Sequence, residues 1–377
     1  MRAETAFFVG KKQKGKPATT YLEGITLHLL ENYGWTPAWE EKMTRQGTAG
    51  RVTVAHKGLY RVATEEGEWL AAPSGKFEFS QSREHQPVVG DWVVVEQMPG
   101  EQRAIIHEVL PRISQFERKI AGRTTEVQVI AVNVDYAFLT MSLNQDFNLR
   151  RLERYLIAAY DSGASPIVVL TKKDMCDDSE WYQKQVEEVA FGVPIFTVSS
   201  KTGEGIEDLR ELIQPNKTAA LLGSSGVGKS SLVNAVLGTE WMAVSEIRED
   251  DAKGRHTTTH RELVLIPSGG AILDTPGMRE FQLWDSGESL GESFSDVEQL
   301  SEHCRFRDCQ HQKEPGCAVQ QAIAEGTLKK DRFSSYLKLQ KELAHMKRKA
   351  DSSAQREERN KWKQITKSVR NNNKIKR

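Results

Sequence analysis

Cysteine is scarce in this chain, with four among 377 residues. That scarcity excludes the disulfide framework of a small secreted fold. Long hydrophobic runs are also missing. The apolar stretches have the length of strands, well short of the roughly 20 residues of a membrane span. The first residues, MRAETAFFVGKKQKGK, carry no sustained apolar segment, so neither a secretory signal nor a membrane partner is expected. Net charge is absent too, with 52 basic residues against 52 acidic ones. What these absences leave is a soluble, cytoplasmic, multidomain protein, 28% charged and 38% hydrophobic, long enough for two or three domains.

The neutrality is uneven. Residues 341–377 hold thirteen Lys or Arg against four Asp or Glu, so the rest of the chain is acidic by the same margin. Such a tail reads either as a handle for a polyanion or as a solvated helix end. The cysteines are uneven as well: Cys304, Cys309 and Cys317 fall within fourteen residues, and Cys176 stands alone as an ordinary thiol.

Residues 1–48 read as an N-terminal extension with helical character and no assignable chemistry. From Gly50 short alternating runs such as GRVTVAHKGLYRVAT and VVGDWVVVEQ are separated by turn residues, the pattern of a small closed barrel, and five strands suit an OB-fold over 49–112. Trp69 and Trp92 alternate with apolar neighbours and read as core. The texture then changes. QVIAVNVDYAFLTMSL and PIVVLTKKD are near-continuous apolar runs, as expected of parallel strands covered on both faces. They alternate with helical segments through residues 113–285, which predicts a doubly wound α/β domain. A Cys/His-rich segment (286–335) and a basic helix and tail (336–377) follow.

GSSGVGKSS is the strongest motif. Gly223, Ser224, Ser225, Gly226, Val227, Gly228, Lys229, Ser230 and Ser231 fit a phosphate loop between a strand and a helix. Glycines let backbone N–H groups turn toward phosphate oxygens, and the helix N-terminus adds positive potential. Lys229 is placed to reach the β- and γ-phosphates and Ser230 to ligate Mg²⁺. LDTPG ends another apolar run, with Asp274 forty-five residues after Lys229. There Asp274 supports Mg²⁺, and the N–H of Gly277 faces the γ-phosphate. Between the two lies GRHTTTH, in which Thr257 or Thr258, the latter preferred, completes the Mg²⁺ shell. Many GTPases carry a water-orienting Gln after this aspartate motif; here Met278 stands there, and His256 becomes the candidate for that work. Lys229, Thr258 and His256 are thus the expected catalytic set.

The base is read elsewhere. Thr171, Lys172, Lys173 and Asp174 resemble the guanine-reading element N-K-x-D, in which the carboxylate accepts from N1–H and the exocyclic N2 of guanine while the Lys stem covers the purine face. Thr171 departs from the usual Asn. Ser199, Ser200 and Lys201 end a further strand as the companion S-x-K element. All these parts are present, but the base reader precedes the phosphate loop, which is the order of a circularly permuted P-loop GTPase. Finally, Cys304-x4-Cys309-x-His311-x5-Cys317 offers three thiolates and an imidazole to a single structural Zn²⁺. His303, next to Cys304, is the alternative imidazole.

The chain resembles the RsgA (YjeQ/YloQ) family over most of residues 50–320, through Gly90-Asp91, Asn133-Val134-Asp135, RLERYL (151–156) and the permuted motifs. The resemblance implies an OB-fold barrel, a central circularly permuted α/β GTPase and a C-terminal zinc-binding helical domain. It also implies the small ribosomal subunit with its 16S rRNA as partner, GTP and GDP as ligands, late maturation of that subunit as the role, and release by hydrolysis. A monomer is expected of an enzyme that docks on a large particle. The rival expectation is an RNA-binding scaffold that holds nucleotide as a structural ligand.

Overall fold

The computed structural model describes residues 29–344 other than 57, 76–85, 99, 120–126, 145, 215, 243–260, 275–289, 292 and 313. The extension up to residue 28 and the basic tail beyond 344 lie outside the described residues. Two helical turns, α1 (Leu29–Asn32) and α2 (Pro37–Glu40), precede β1 (Thr48–His56), β2 (Leu59–Thr64), β3 (Gly67–Pro73), β4 (Trp92–Gln97) and β5 (Arg103–Val109). β1 pairs with both β2 and β4, and β3 runs parallel to β5. The five strands therefore close on themselves, as the alternating pattern predicts, and closure removes the free edges.

β4 shows how sequence sets this packing. Val93 and Val95 point into the barrel with Val52, Val62 and Ile106. Trp92 and Val94, on the opposite face, join the core shared with the α/β region. Trp92 meets Trp35 at 4.9 Å and Trp39 at 5.8 Å between ring centroids, so the α1–α2 segment wedges into the seam. Trp69 is only half-buried, against the barrel core. Arg51 staples the same seam. It is 2% exposed and donates to the carbonyls of Tyr33, Gly90 and Asn133, with its guanidinium 4.7 Å from the Trp92 ring centroid. Burial pulls its pKa down to about 10, which leaves it charged at neutral pH. At the barrel exit Arg112 grips the buried Asp91 through two 2.8 Å bonds.

The apolar run that reads as one strand is in fact two. β6 (Gln115–Lys119) and β7 (Val127–Val132) form an antiparallel ribbon, and the chain turns at Asn133 before β8 (Tyr136–Ser142). Asn133 adopts φ 53°. Its amide donates to Gly90 O and accepts from Ile113 N, both at 3.0 Å, which holds a left-handed break that an apolar pattern does not announce.

The α/β region continues with α3 (Leu149–Ser162), β9 (Ser165–Thr171), a 3₁₀ turn (Lys173–Met175), α4 (Ser179–Glu187), β10 (Ile195–Thr197), α5 (Ile206–Ile213), β11 (Thr218–Leu222), α6 (Lys229–Leu237), β12 (Glu262–Leu265) and β13 (Ala271–Asp274). The strand order is β10-β9-β8-β11-β13-β12, parallel except for β12. Phe138, Ile167, Val169 and Leu221 pack on one face with α5 and α6; Leu139, Val168, Leu170 and Leu222 pack on the other with α3. Burial on both faces is why these strands read as unbroken apolar runs. α3 starts where the Asn148 side chain accepts from Arg151 N and stops at Gly163 in the left-handed region. The chain leaves β8 toward one sheet edge and β11 toward the other, so the crevice at the C-terminal ends of β8 and β11 is the topological switch point. Beyond β12 the sheet touches barrel strand β1 at the pair Val54–Glu262.

Last come α7 (Ser295–Glu302), α8 (Ala318–Glu325) and a helix of residues 330–344, here α9. Phe294, Val297, Val319, Phe333, Tyr336 and Leu339 form their core, and Ile157 of α3 joins it. α9 runs through residue 336 without a break. Among the described residues no helix is long and apolar enough to cross a membrane.

Candidate functional site

The phosphate loop leaves β11 at the switch point, where its fit is steric. A Cβ on Gly223 would sit 2.2 Å from Thr140 Oγ1 and 2.6 Å from Thr140 O, so only glycine lets the loop pass this close to β8. Gly228 adopts φ 95° immediately before α6, a conformation that turns its flanking peptides inward. Lys229 Nζ donates to the carbonyls of Gly223, at 2.6 Å, and Ser224. Two of its three donors therefore brace the loop. Ser230 and Ser231 follow in the first turn of α6.

The Thr171–Asp174 segment and the 223–231 loop meet directly. Thr171, 2% exposed at the end of β9, donates from Oγ1 to Val227 O at 2.6 Å. The hydroxyl that stands in place of the usual Asn amide ties the strand end to a loop 56 residues away. Lys172 sits in the left-handed region, φ 62°, and its Nζ reaches Gly226 O at 2.8 Å, which carries its stem across the mouth of the loop. Lys173 points away and pairs with Glu204. The Asp174 carboxylate accepts from the Ser199 hydroxyl at 2.7 Å. Ser199 is fully buried and also accepts from Thr202 N, so the strand end at Ser199 fixes the direction of the Asp174 carboxylate. Ser200 and exposed Lys201 lie in the same turn. Asp274 ends β13, beside β11. His256, Thr257, Thr258, Gly277 and Met278 lie outside the described residues.

Two residues to which the sequence assigned no role at the loop also reach it. Asp146 and Arg151, after β8, form an ion pair at 2.9 Å, and both hydrogen-bond the Ser224 hydroxyl. Their position past the end of a central parallel strand was the available signal.

The cysteine cluster is assembled as its spacing predicts. One donor atom from each of Cys304, Cys309, His311 and Cys317 lies within 4.8 Å of the others. Cys304 Sγ and Cys317 Sγ are each 3.5 Å from His311 Nδ1 and 3.9 Å from one another. Zn–S near 2.3 Å and Zn–N near 2.0 Å imply tetrahedral edges of roughly 3.5–3.8 Å, so the donor set fits a closed zinc shell. His311 Nε2 is 3.3 Å from Ser301 Oγ, the kind of outer contact that orients a ligating ring. His303 Nδ1 instead faces Gln299 O at 2.8 Å, outside the cluster.

Comparison with known proteins agrees with this geometry. The family described as RsgA GTPase matches residues 109–284. Small ribosomal subunit biogenesis GTPase RsgA 1 of Listeria innocua is 48% identical over 343 residues, 91% of this chain and 97% of that protein. YjeQ from Thermotoga maritima, known from a crystal structure, aligns with a TM-score of 0.59 and 28% identity over 79% of this chain and 98% of that one. The crystal structure of YloQ, a circularly permuted GTPase, aligns with a TM-score of 0.59 and 26% identity over 80% and 96%.

Proposed function

The chain belongs to the RsgA family of circularly permuted GTPases and is a GTP-hydrolysing enzyme; from that premise we propose that it binds the small ribosomal subunit, acts in its late maturation, and hydrolyses GTP to GDP and phosphate to leave it. The observation that carries the reading is the Thr171–Val227 bond. It joins an early base reader to a late phosphate loop in one crevice, as a permuted guanine-nucleotide site requires.

In this reading Asp174, oriented by Ser199, accepts from guanine N1–H and N2, and Lys172 lies along the purine face. The Gly226–Ser231 amides and Lys229 hold the phosphates. Ser230, Thr258 and Asp274 are the residues that would hold Mg²⁺, which offsets charge on the phosphates. His256 orients the attacking water in place of a Gln, so turnover is slow until a partner stimulates it. Cys304, Cys309, His311 and Cys317 hold a structural zinc that stiffens a domain with a small core. That domain, the barrel and the basic tail contact 16S rRNA, and the protein works as a cytoplasmic monomer.

The test is multiple-turnover GTP hydrolysis with and without purified small subunits. A clear rise in kcat on adding subunits is expected. Turnover indifferent to subunits rejects the ribosomal reading, and absence of turnover in both conditions favours the scaffold.

A further inference from the structure

Helix α3 touches both ends of the molecule's chemistry. At its first turn Arg151 Nη1 donates to the Ser224 hydroxyl, which in turn donates to Asp146 Oδ2 at 2.7 Å. The hydroxyl has a cation on one side and a carboxylate on the other, so its rotor is locked. Arg151 is itself held by both Asp146 oxygens at 2.9 Å, and its backbone N–H is capped by Asn148. The carbonyl of the same Ser224 receives Lys229 Nζ. Phosphate affinity depends on the direction of the loop's peptides, and the second residue of the loop is pinned from α3.

Two residues further on, the helix is gripped from the C-terminal domain. Glu153, 2% exposed, pairs with Arg332 at 3.0 Å. Arg332 is 8% exposed. It also bonds Asp296 and Ser293 O and stacks 4.0 Å from the Phe294 ring centroid. Arg154 pairs with Glu342, and Ile157 enters the C-terminal core. An unbroken line of contacts therefore runs from Ser224 through Arg151, α3 and Glu153 to Arg332.

We infer that Arg151, braced by Asp146, is a positioning residue for the phosphate loop, and that docking of the C-terminal domain on α3 sets its position. The inference rests on residues 223–231 being the nucleotide-binding loop. Arg151 acts through Ser224 on ground-state and transition-state binding alike, so its loss raises KM and leaves kcat nearly unchanged.

The experiment measures fluorescent-GDP affinity and steady-state GTP turnover for the full chain and for R151A, R151K, S224A, R151A/S224A, E153Q and R151A/E153Q, with melting curves for each. R151A and S224A each weaken GDP binding by about tenfold, and R151A keeps kcat within about twofold of the parent. The double variant falls well short of the roughly hundredfold loss of independent effects. Lys at 151 keeps the charge without the planar fork and recovers only part of the affinity. E153Q weakens binding several-fold, and adds nothing in the R151A background. Multiplicative losses in the double variant, full rescue by R151K, or folded R151A with unchanged affinity overturn the positioning role. E153Q that melts earlier but binds GDP normally overturns the link to the C-terminal domain. A parent chain that binds no guanine nucleotide removes the reading of the loop itself, a separate failure.

Discussion

Replacing Thr171 with valine keeps the branched shape of the side chain and deletes one hydroxyl. That hydroxyl donates to Val227 O at 2.6 Å and lies 3.4 Å from Met141 O. Thr171 is 2% exposed and Val227 1%, so water cannot replace the lost donor. An orphaned buried acceptor costs about 1–3 kcal/mol. Val227 belongs to the phosphate loop, so part of that cost appears in nucleotide binding, and 1.4 kcal/mol is tenfold in affinity. We expect T171V to weaken GDP binding by roughly 5- to 30-fold while the metal content is unchanged. Fluorescent-GDP titration beside a melting curve reads both. Affinity within twofold of the parent, in a folded chain, would show that the two motifs do not depend on each other through this bond.

Three further outcomes follow from the geometry. S199A removes a hydrogen bond of 2.7 Å to the Asp174 carboxylate; about tenfold weaker GTP binding is expected, read by competition against fluorescent GDP, and unchanged competition refutes it. R51M strips a charged donor from three backbone carbonyls at the seam; a loss of about 3 kcal/mol should lower the melting midpoint by roughly 6–12 °C, and a shift under 2 °C rejects the staple. C309S opens the Cys304–Cys309–His311–Cys317 shell; metal analysis should show zinc in the parent and its loss in the variant. Zinc-free parent protein with the same melting curve contradicts the assignment.

The parts of the site that sequence shows plainly are those whose chemistry is local. The phosphate loop needs Gly223, Gly228, Lys229 and Ser230 in one short run, and the metal cluster needs four ligands at close spacing, so both are visible as patterns. The permutation is visible too, because it is only the order of such patterns. The place of Thr171 is not legible for the opposite reason: its partner, Val227, is brought to it by sheet order β9-β8-β11 rather than by spacing. Arg151 and Asp146 were hidden in the same way, since an ion pair on Ser224 leaves no periodic trace. The strand split at Asn133 was hidden by composition: apolar residues continue on both sides, and the break depends on tertiary bonds to Gly90 and Ile113. The contact of β12 with the barrel likewise has no sequence signature.

The account turns on Asp174 reading guanine across a crevice that Thr171 and the phosphate loop close. Substituting Asn at 174 replaces the acceptor that meets guanine N1–H and N2 with a carboxamide that matches the inverted edge of xanthine. The measurement is the ratio of GTP to XTP affinity in the parent and in D174N. The account predicts a parent that prefers GTP and a variant that prefers XTP, with both folded; a D174N chain that still prefers GTP contradicts it.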